Sequence, residues 1–204
     1  MRVLIGTPIH ICKDYAMERW LENVAKLQRQ TPADLLLVDN SPGLDYAEKL
    51  KGYCEKYGVK NYQIMHLEFN QGMSRDEKDE RIEGAQEMVR QYVLSHNYDA
   101  WFSWECDQII PADSLDKLVK LMIAGNFMVV AHNSWARNNP NESNPDMGIT
   151  LIKRECLEKQ GFLTKPGFRR WQGGEAWFKE RILRGGGSYI DVYGLINPVY
   201  HLKE

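Results

Sequence analysis

No stretch of this 204-residue chain approaches the ~20 consecutive apolar residues of a membrane-spanning helix. Cysteine is scarce: Cys12, Cys54, Cys106 and Cys156 lie far apart, with no C-x-x-C pair. That spacing argues against a zinc site or a disulfide framework and suits a reducing compartment. Charge of one sign is also lacking, with 26 Lys and Arg against 28 Asp and Glu. Nothing in that balance favours a nucleic acid as partner. Repeats and low-complexity segments are absent, and Met1-Arg-Val-Leu-Ile-Gly6 is too short an apolar run for a secretory signal. The expectation is a soluble, cytoplasmic protein of one domain, large enough to bury its own core.

What is present alternates between strand and helix. Val3–Gly6 reads as a buried strand, stopped by Thr7-Pro8. Asp14 is placed to cap a helix in which Met17, Trp20, Leu21, Val24 and Leu27 keep a 3.6-residue period. Leu35–Val38 is the next strand and ends in the turn-forming Asp39-Asn-Ser-Pro-Gly43. A helix over Leu44–Tyr57, a strand at Ile64–Leu67 and a charged helix after Asn70-Gln-Gly72 follow. Beyond Pro111 come a helix through Leu115–Met122 and a wholly apolar strand at Phe127–Ala131. This order predicts an α/β fold, a mostly parallel sheet covered by helices on both faces. Residues 133–146 lack periodicity and read as a long loop, of the kind that forms lids. After it, strand at 148–152, helix at 154–160, helix at 175–184 and strand at 188–192 are expected.

The chemistry concentrates at Trp101-Phe-Ser-Trp-Glu105-Cys-Asp107. An apolar strand ends there in two acids one residue apart, on one side of an extended chain. In open α/β sheets ligands bind beyond the strands' carboxyl ends, and two adjacent carboxylates call for a cation, such as Mg2+ bound with substrate phosphates. The alternative is a strand-end turn with solvated acids. Asp39 ends its strand on the same expected rim, where it either meets a nucleoside or bonds its own turn.

Asn70-x-Gly72-x-Ser-Arg75 precedes a helix with Arg75, Lys78 and Arg81 in its first turns. Gly72 admits close backbone approach, and a helix N-terminus favours an anion. Cations there oppose the helix dipole, which a phosphate would rationalise; interleaved acids could instead neutralise them, the reading favoured for Lys78. Glu175 opens a helix after Trp171-Gln-Gly-Gly174, as a general base or as an ordinary first-turn acid. Trp171 is either a sugar-stacking platform or core. His201 beside two carboxylates would suit Mn2+ better than Mg2+. His10, His66, His96 and His132 show no ligand-like spacing and read as surface or core residues.

Together these segments resemble the nucleotide-sugar glycosyltransferases of the GT-A fold, most closely glycosyltransferase family 2. Val3-Leu-Ile-Gly-Thr7-Pro8 and Leu-Leu-Val-Asp39 resemble its first two strands, and Glu105-Cys-Asp107 its metal-binding Asp-x-Asp signature. Gly-Gly174-Glu175 resembles the element that supplies its catalytic base. The resemblance implies a donor-binding part, 1–131, and an acceptor-side part, 132–204. It implies Mn2+ or Mg2+ held by Asp107, Glu105 and His201. Substrate-binding residues would be Thr7, Pro8, Asp39, Asn70, Gly72, Arg75, Arg81, Glu105, Trp171 and Gly174, with Glu175 as base. The implied reaction is transfer, with inversion, from a UDP- or GDP-sugar to a hydroxyl of a glycan, lipid, protein or small molecule. The first metal acid is Glu rather than Asp, which makes Asp107 the firmer ligand. A sugar-phosphate nucleotidyltransferase is the rival enzyme, disfavoured by Gly6-Thr-Pro-Ile-His-Ile-Cys12, which is not a glycine- and arginine-rich loop. A non-catalytic nucleotide-sugar-binding module is the other alternative.

Overall fold

The computed structural model describes residues 1–69, 71–72, 74–132, 147–163 and 173–203, with backbone alone for residues 75 and 173–176. Its elements run β1 (Val3–Ile9), α1 (Asp14–Gln30), β2 (Asp34–Asp39), α2 (Asp45–Tyr57), β3 (Tyr62–His66), α3 (Arg75–Ser95) and β4 (Ala100–Trp104). Then come β5 (Gln108–Ile109), α4 (Ser114–Ala124), β6 (Val129–His132), β7 (Ile149–Lys153), α5 (Arg154–Lys159), α6 (Gly173–Arg184), β8 (Tyr189–Val192) and β9 (Tyr200–His201). The loop expected at 133–146 lies outside the described residues.

Seven strands form one sheet in the order β3-β2-β1-β4-β7-β6-β8. All pairings in it are parallel except those of β7, antiparallel to both β4 and β6. Strand period sorts the core into two layers. Ile5, Leu35, Leu37, Phe102 and Trp104 pack with α1, α2 and α4. Leu4, Leu36, Val38 and Trp101 face the other way, against α3, α5 and α6. Both layers are closed to solvent at their largest side chains: Trp20, Trp101, Phe102 and Trp104 are fully enclosed. Each such side chain contributes roughly 1.5–3 kcal/mol by leaving water.

Gly6 sets how closely α3 approaches β1. A Cβ there would lie 2.3 Å from a Val89 methyl and 2.7 Å from the Trp101 indole nitrogen, which donates to the Gly6 carbonyl at 2.9 Å. The expected cap of α1 is corrected: Asp14 is already helical, and the cap position is Lys13, without a side-chain bond. The Asp14 carboxylate instead accepts from Lys49 at 2.6 Å and Tyr53 at 3.3 Å, tying α1 to α2. Helix α3 does begin with a reciprocal cap, Ser74 with Glu77.

Candidate active site

Register places the acids on one rim. Ile9 pairs with Asp39, Asp39 with His66, and Gly6 with Ser103, so β1, β2, β3 and β4 finish together. At that rim opens a cavity of about 470 Å³ whose wall includes Thr7, Pro8, Lys13, Arg81, Glu105 and Asp107. A hollow of about 540 Å³ at the opposite rim, around Arg2, Asp34 and Lys60, is larger. It holds no converging ligand set: among the described residues, the one group of donors able to share a metal ion is Glu105, Asp107 and His201.

The Glu105–Asp107 tip is held from several sides. The expected two-residue alternation does not operate, because β4 ends at Trp104 and the chain turns, Gln108 N–H donating to the Glu105 carbonyl at 3.2 Å. Thr7 donates its hydroxyl to the Trp104 carbonyl at 2.8 Å, and the Trp104 indole donates to the Gln108 carbonyl at 2.9 Å. The Gln108 amide donates to Glu105 Oε2 at 2.6 Å. Beyond the tip, the Asn23 side chain on α1 accepts from Ile110 N–H and donates to its carbonyl, both at 2.9 Å.

β9 pairs antiparallel with β5, with His201 opposite Gln108, and Leu202 N–H donates to the Asp107 carbonyl at 2.8 Å. This ladder puts His201 Nε2 3.9 Å from Glu105 Oε2. One donor atom from each of Glu105, Asp107 and His201 lies within 4.8 Å of the others. Two carboxylates and an imidazole can together hold a divalent ion, and all three residues are half-buried.

Asp107 also carries an ion pair of its own. Lys13 Nζ lies 2.5 Å from Asp107 Oδ2, and the Tyr15 hydroxyl donates to the same oxygen at 3.3 Å. Burial works against the Lys13 charge, but the hydrogen bond and attraction from Asp107 outweigh it and raise the lysine's pKa. Burial, reinforced by Asp107, pushes the Cys106 thiol up and keeps it neutral. Lys13 reaches the tip because the chain after β1 folds into a 3-10 turn, Ile11–Lys13. That turn is pinned by Ile11 N–H to the Ser41 hydroxyl at 2.8 Å and by Cys12 N–H to His10 Nδ1 at 3.1 Å.

The other expected residues divide. Arg81 is 7% exposed, lines the cavity, and donates to the Gly72 carbonyl at 2.8 Å. Lys78, expected on a solvated face, is exposed but also borders the cavity. Asp39 is wholly buried: Oδ1 accepts from Ser41 N–H at 3.0 Å and Oδ2 meets His66 Nδ1 at 2.9 Å. Its neighbour Asn40, not Asp39, forms cavity wall. Gly174 and Glu175 stand in the first turn of α6. Asn70, Trp171 and the side chains of Arg75 and Glu175 lie outside the described residues. Lys13, Tyr15 and His10 were not among the expected site residues. Their only sequence signal is position just after the first strand's carboxyl end.

No family model matches the chain, and no curated protein does. Among solved structures it is similar to the mannosyltransferase PcManGT of Pyrobaculum calidifontis in complex with GDP-Man and Mn2+. That likeness has a TM-score of 0.69 at 16% identity and covers 95% of this chain and 55% of that one. It is similar to S. aureus TarS 1-349 in complex with UDP, with a TM-score of 0.64 at 12% identity over 95% of this chain and 60% of that one. The fold is GT-A. A putative nucleotide-diphospho-sugar transferase of Desulfovibrio desulfuricans G20 shares it less closely, with a TM-score of 0.54 at 13% identity over 95% of this chain and 80% of that one. At such identities the likeness is one of fold, and the chain spans little more than half the length of the first two neighbours. In this GT-A sheet the cavity occupies the carboxyl rim. Among the described residues no helix is long and apolar enough to cross a membrane.

Proposed function

We propose that this protein transfers a sugar from a nucleoside diphosphate sugar to an acceptor hydroxyl, with a divalent ion held by Asp107, Glu105 and His201. One observation carries the reading. Three metal-type donors, two from one strand end and one from near residue 200, converge within 4.8 Å beside a rim cavity of about 470 Å³. The ligands named for the similar structures, GDP-Man with Mn2+ and UDP, support the same chemistry. When bound, the ion would supply positive charge against the diphosphate leaving group.

The chain's own residues do the rest. Arg81 and Lys78 bring two further positive charges to the cavity wall, where charge develops on the departing diphosphate. Asn40, Thr7 and Pro8 line the cavity that would take the donor. Asp39 serves the nucleoside site from beneath, its carboxylate bonded to Ser41 N–H and the His66 ring and so fixing the turn that brings Asn40 to the cavity wall. Asn70, Gly72 and Arg75 before and at the start of α3, with Trp171 and Gly174, complete the donor and acceptor surfaces. Glu175 takes the acceptor's proton as the hydroxyl attacks opposite the leaving group, inverting the anomeric centre.

A binding screen tests this. Nucleoside diphosphates and their sugars, with and without Mn2+, are scored by thermal shift, and the best donor by nucleoside diphosphate release. A true donor at ~100-fold its dissociation constant raises stability by roughly 2.7 kcal/mol. A chain that no donor or Mn2+ stabilises sinks the assignment.

A further inference from the structure

Asp107 is the ligand the proposed metal site depends on most, yet its Oδ2 already faces an ammonium group at 2.5 Å and a tyrosine hydroxyl at 3.3 Å. The lysine comes from the turn after β1, the strand beside β4, 94 residues earlier in the chain. Its backbone is fixed, with Lys13 N–H donating to the His10 carbonyl at 2.9 Å. Among the described residues its side chain is held only at the tip, by Asp107, and is 42% exposed, against 14% for the Asp107 side chain. A long, half-exposed stem on a fixed base lets the charged end swing while the aspartate stays put. The ammonium also borders the cavity assigned to the diphosphate, shared with Arg81 and Glu105.

We propose that Lys13 is a built-in counter-ion of the metal site. It neutralises Asp107 when no divalent ion is present, and it moves to an anionic oxygen of the diphosphate when ion and nucleotide arrive together. The inference rests on the reading that Asp107 binds the ion. Its physical basis is that one carboxylate cannot hold an ammonium and a dication at contact distance without strong repulsion between them. The ion alone must displace Lys13 into water, whereas with the nucleotide the displaced charge finds a phosphate. Ion and nucleoside diphosphate therefore bind synergistically, and by linkage each strengthens the other by the same factor.

The experiment compares the wild-type chain with Lys13→Met and Lys13→Arg. Mn2+ affinity is measured by paramagnetic resonance of free Mn2+, with MnCl2 alone and with saturating GDP or UDP, and nucleotide affinity is measured with and without Mn2+. Lys13→Met, freed of the competing charge, is expected to bind Mn2+ alone about 10-fold more tightly than wild type. Its synergy factor should fall from a typical ~5- to 150-fold but stay above one, because ion and diphosphate still attract each other directly. Lys13→Arg should keep most of the wild-type synergy. Circular dichroism and thermal melts confirm that each variant folds. Wild-type binding with an unchanged or weaker Mn2+ affinity in Lys13→Met overturns the role of Lys13 alone. A wild-type chain that binds no Mn2+ overturns the metal site, and this inference with it.

Discussion

Gln108 and His201 face each other across a two-residue antiparallel ladder, and that pairing carries a residue near position 200 to within 3.9 Å of Glu105. The main sheet plays no part in delivering it. His201 belongs to a two-residue strand outside the main sheet, and its side chain, 13% exposed, packs at the acidic tip rather than in either apolar core layer. His201→Ala is expected to leave the melting temperature nearly unchanged while weakening Mn2+ binding at least ~10–100-fold, the loss usual for groups around a metal. Manganese resonance titration beside a thermal melt separates the two effects.

The clamp from α1 makes the opposite prediction. Asn23 is 7% exposed, and its amide satisfies both backbone groups of Ile110 just beyond the acidic tip. Asn23→Ala leaves a buried N–H and a buried carbonyl without those partners, at about 1–3 kcal/mol for each group. Urea unfolding should show that loss, and nucleotide affinity should fall with it because the tip loses its anchor. Asn23→Asp recovers only the acceptor half and should lie between the two.

The layers of this fold are plain in the chain because burial follows period. Leu35–Val38 alternates between the two cores as any strand must, and the Met17, Trp20, Leu21, Val24, Leu27 stripe is wholly buried. The reversed direction of β7 is not, since an apolar run reports burial and says nothing of which way a strand points. At the site, Glu105 and Asp107 are legible as acids at the end of an apolar strand. Lys13 is hidden because its position depends on a turn stitched by the His10 ring and the Ser41 hydroxyl, contacts that no periodicity encodes. Asp39 shows the same limit. Its place on the rim is legible from where its strand stops, but the His66 partner that occupies Oδ2 comes from the register of β2 with β3.

His132 ends β6 at 4% exposure, and neither ring nitrogen has a hydrogen-bond partner among the described residues. Burial lowers its pKa from the ordinary 6.5. Between that lowered value and about 6.5 the unfolded chain binds more protons than the folded one. Stability therefore rises with pH across this window and is lost on acidification. His132→Phe removes the proton site. Comparing urea midpoints at pH 7.5 and 5.5, the wild-type chain should lose more stability than the variant; equal losses would mean His132 does not couple to folding.

Glu175 stands in the first turn of α6, and that helix is fixed by residues other than itself. Phe178 and Ile182 are 1% and 3% exposed in the core layer beneath α3, and Phe178 stacks on Phe162 with ring centroids 4.4 Å apart. Replacing one carboxyl by its isosteric amide should therefore leave the helix in place. Glu175→Gln is expected to lower kcat by roughly 10²–10⁴-fold, the usual contribution of a general base, with donor affinity and melting temperature unchanged. Steady-state transfer assays beside donor calorimetry check both halves. If kcat and donor affinity fell together by the same factor, Glu175 would be a donor-binding group and the base would have to lie elsewhere. If kcat stayed within a few-fold of wild type, proton removal would not depend on this helix at all.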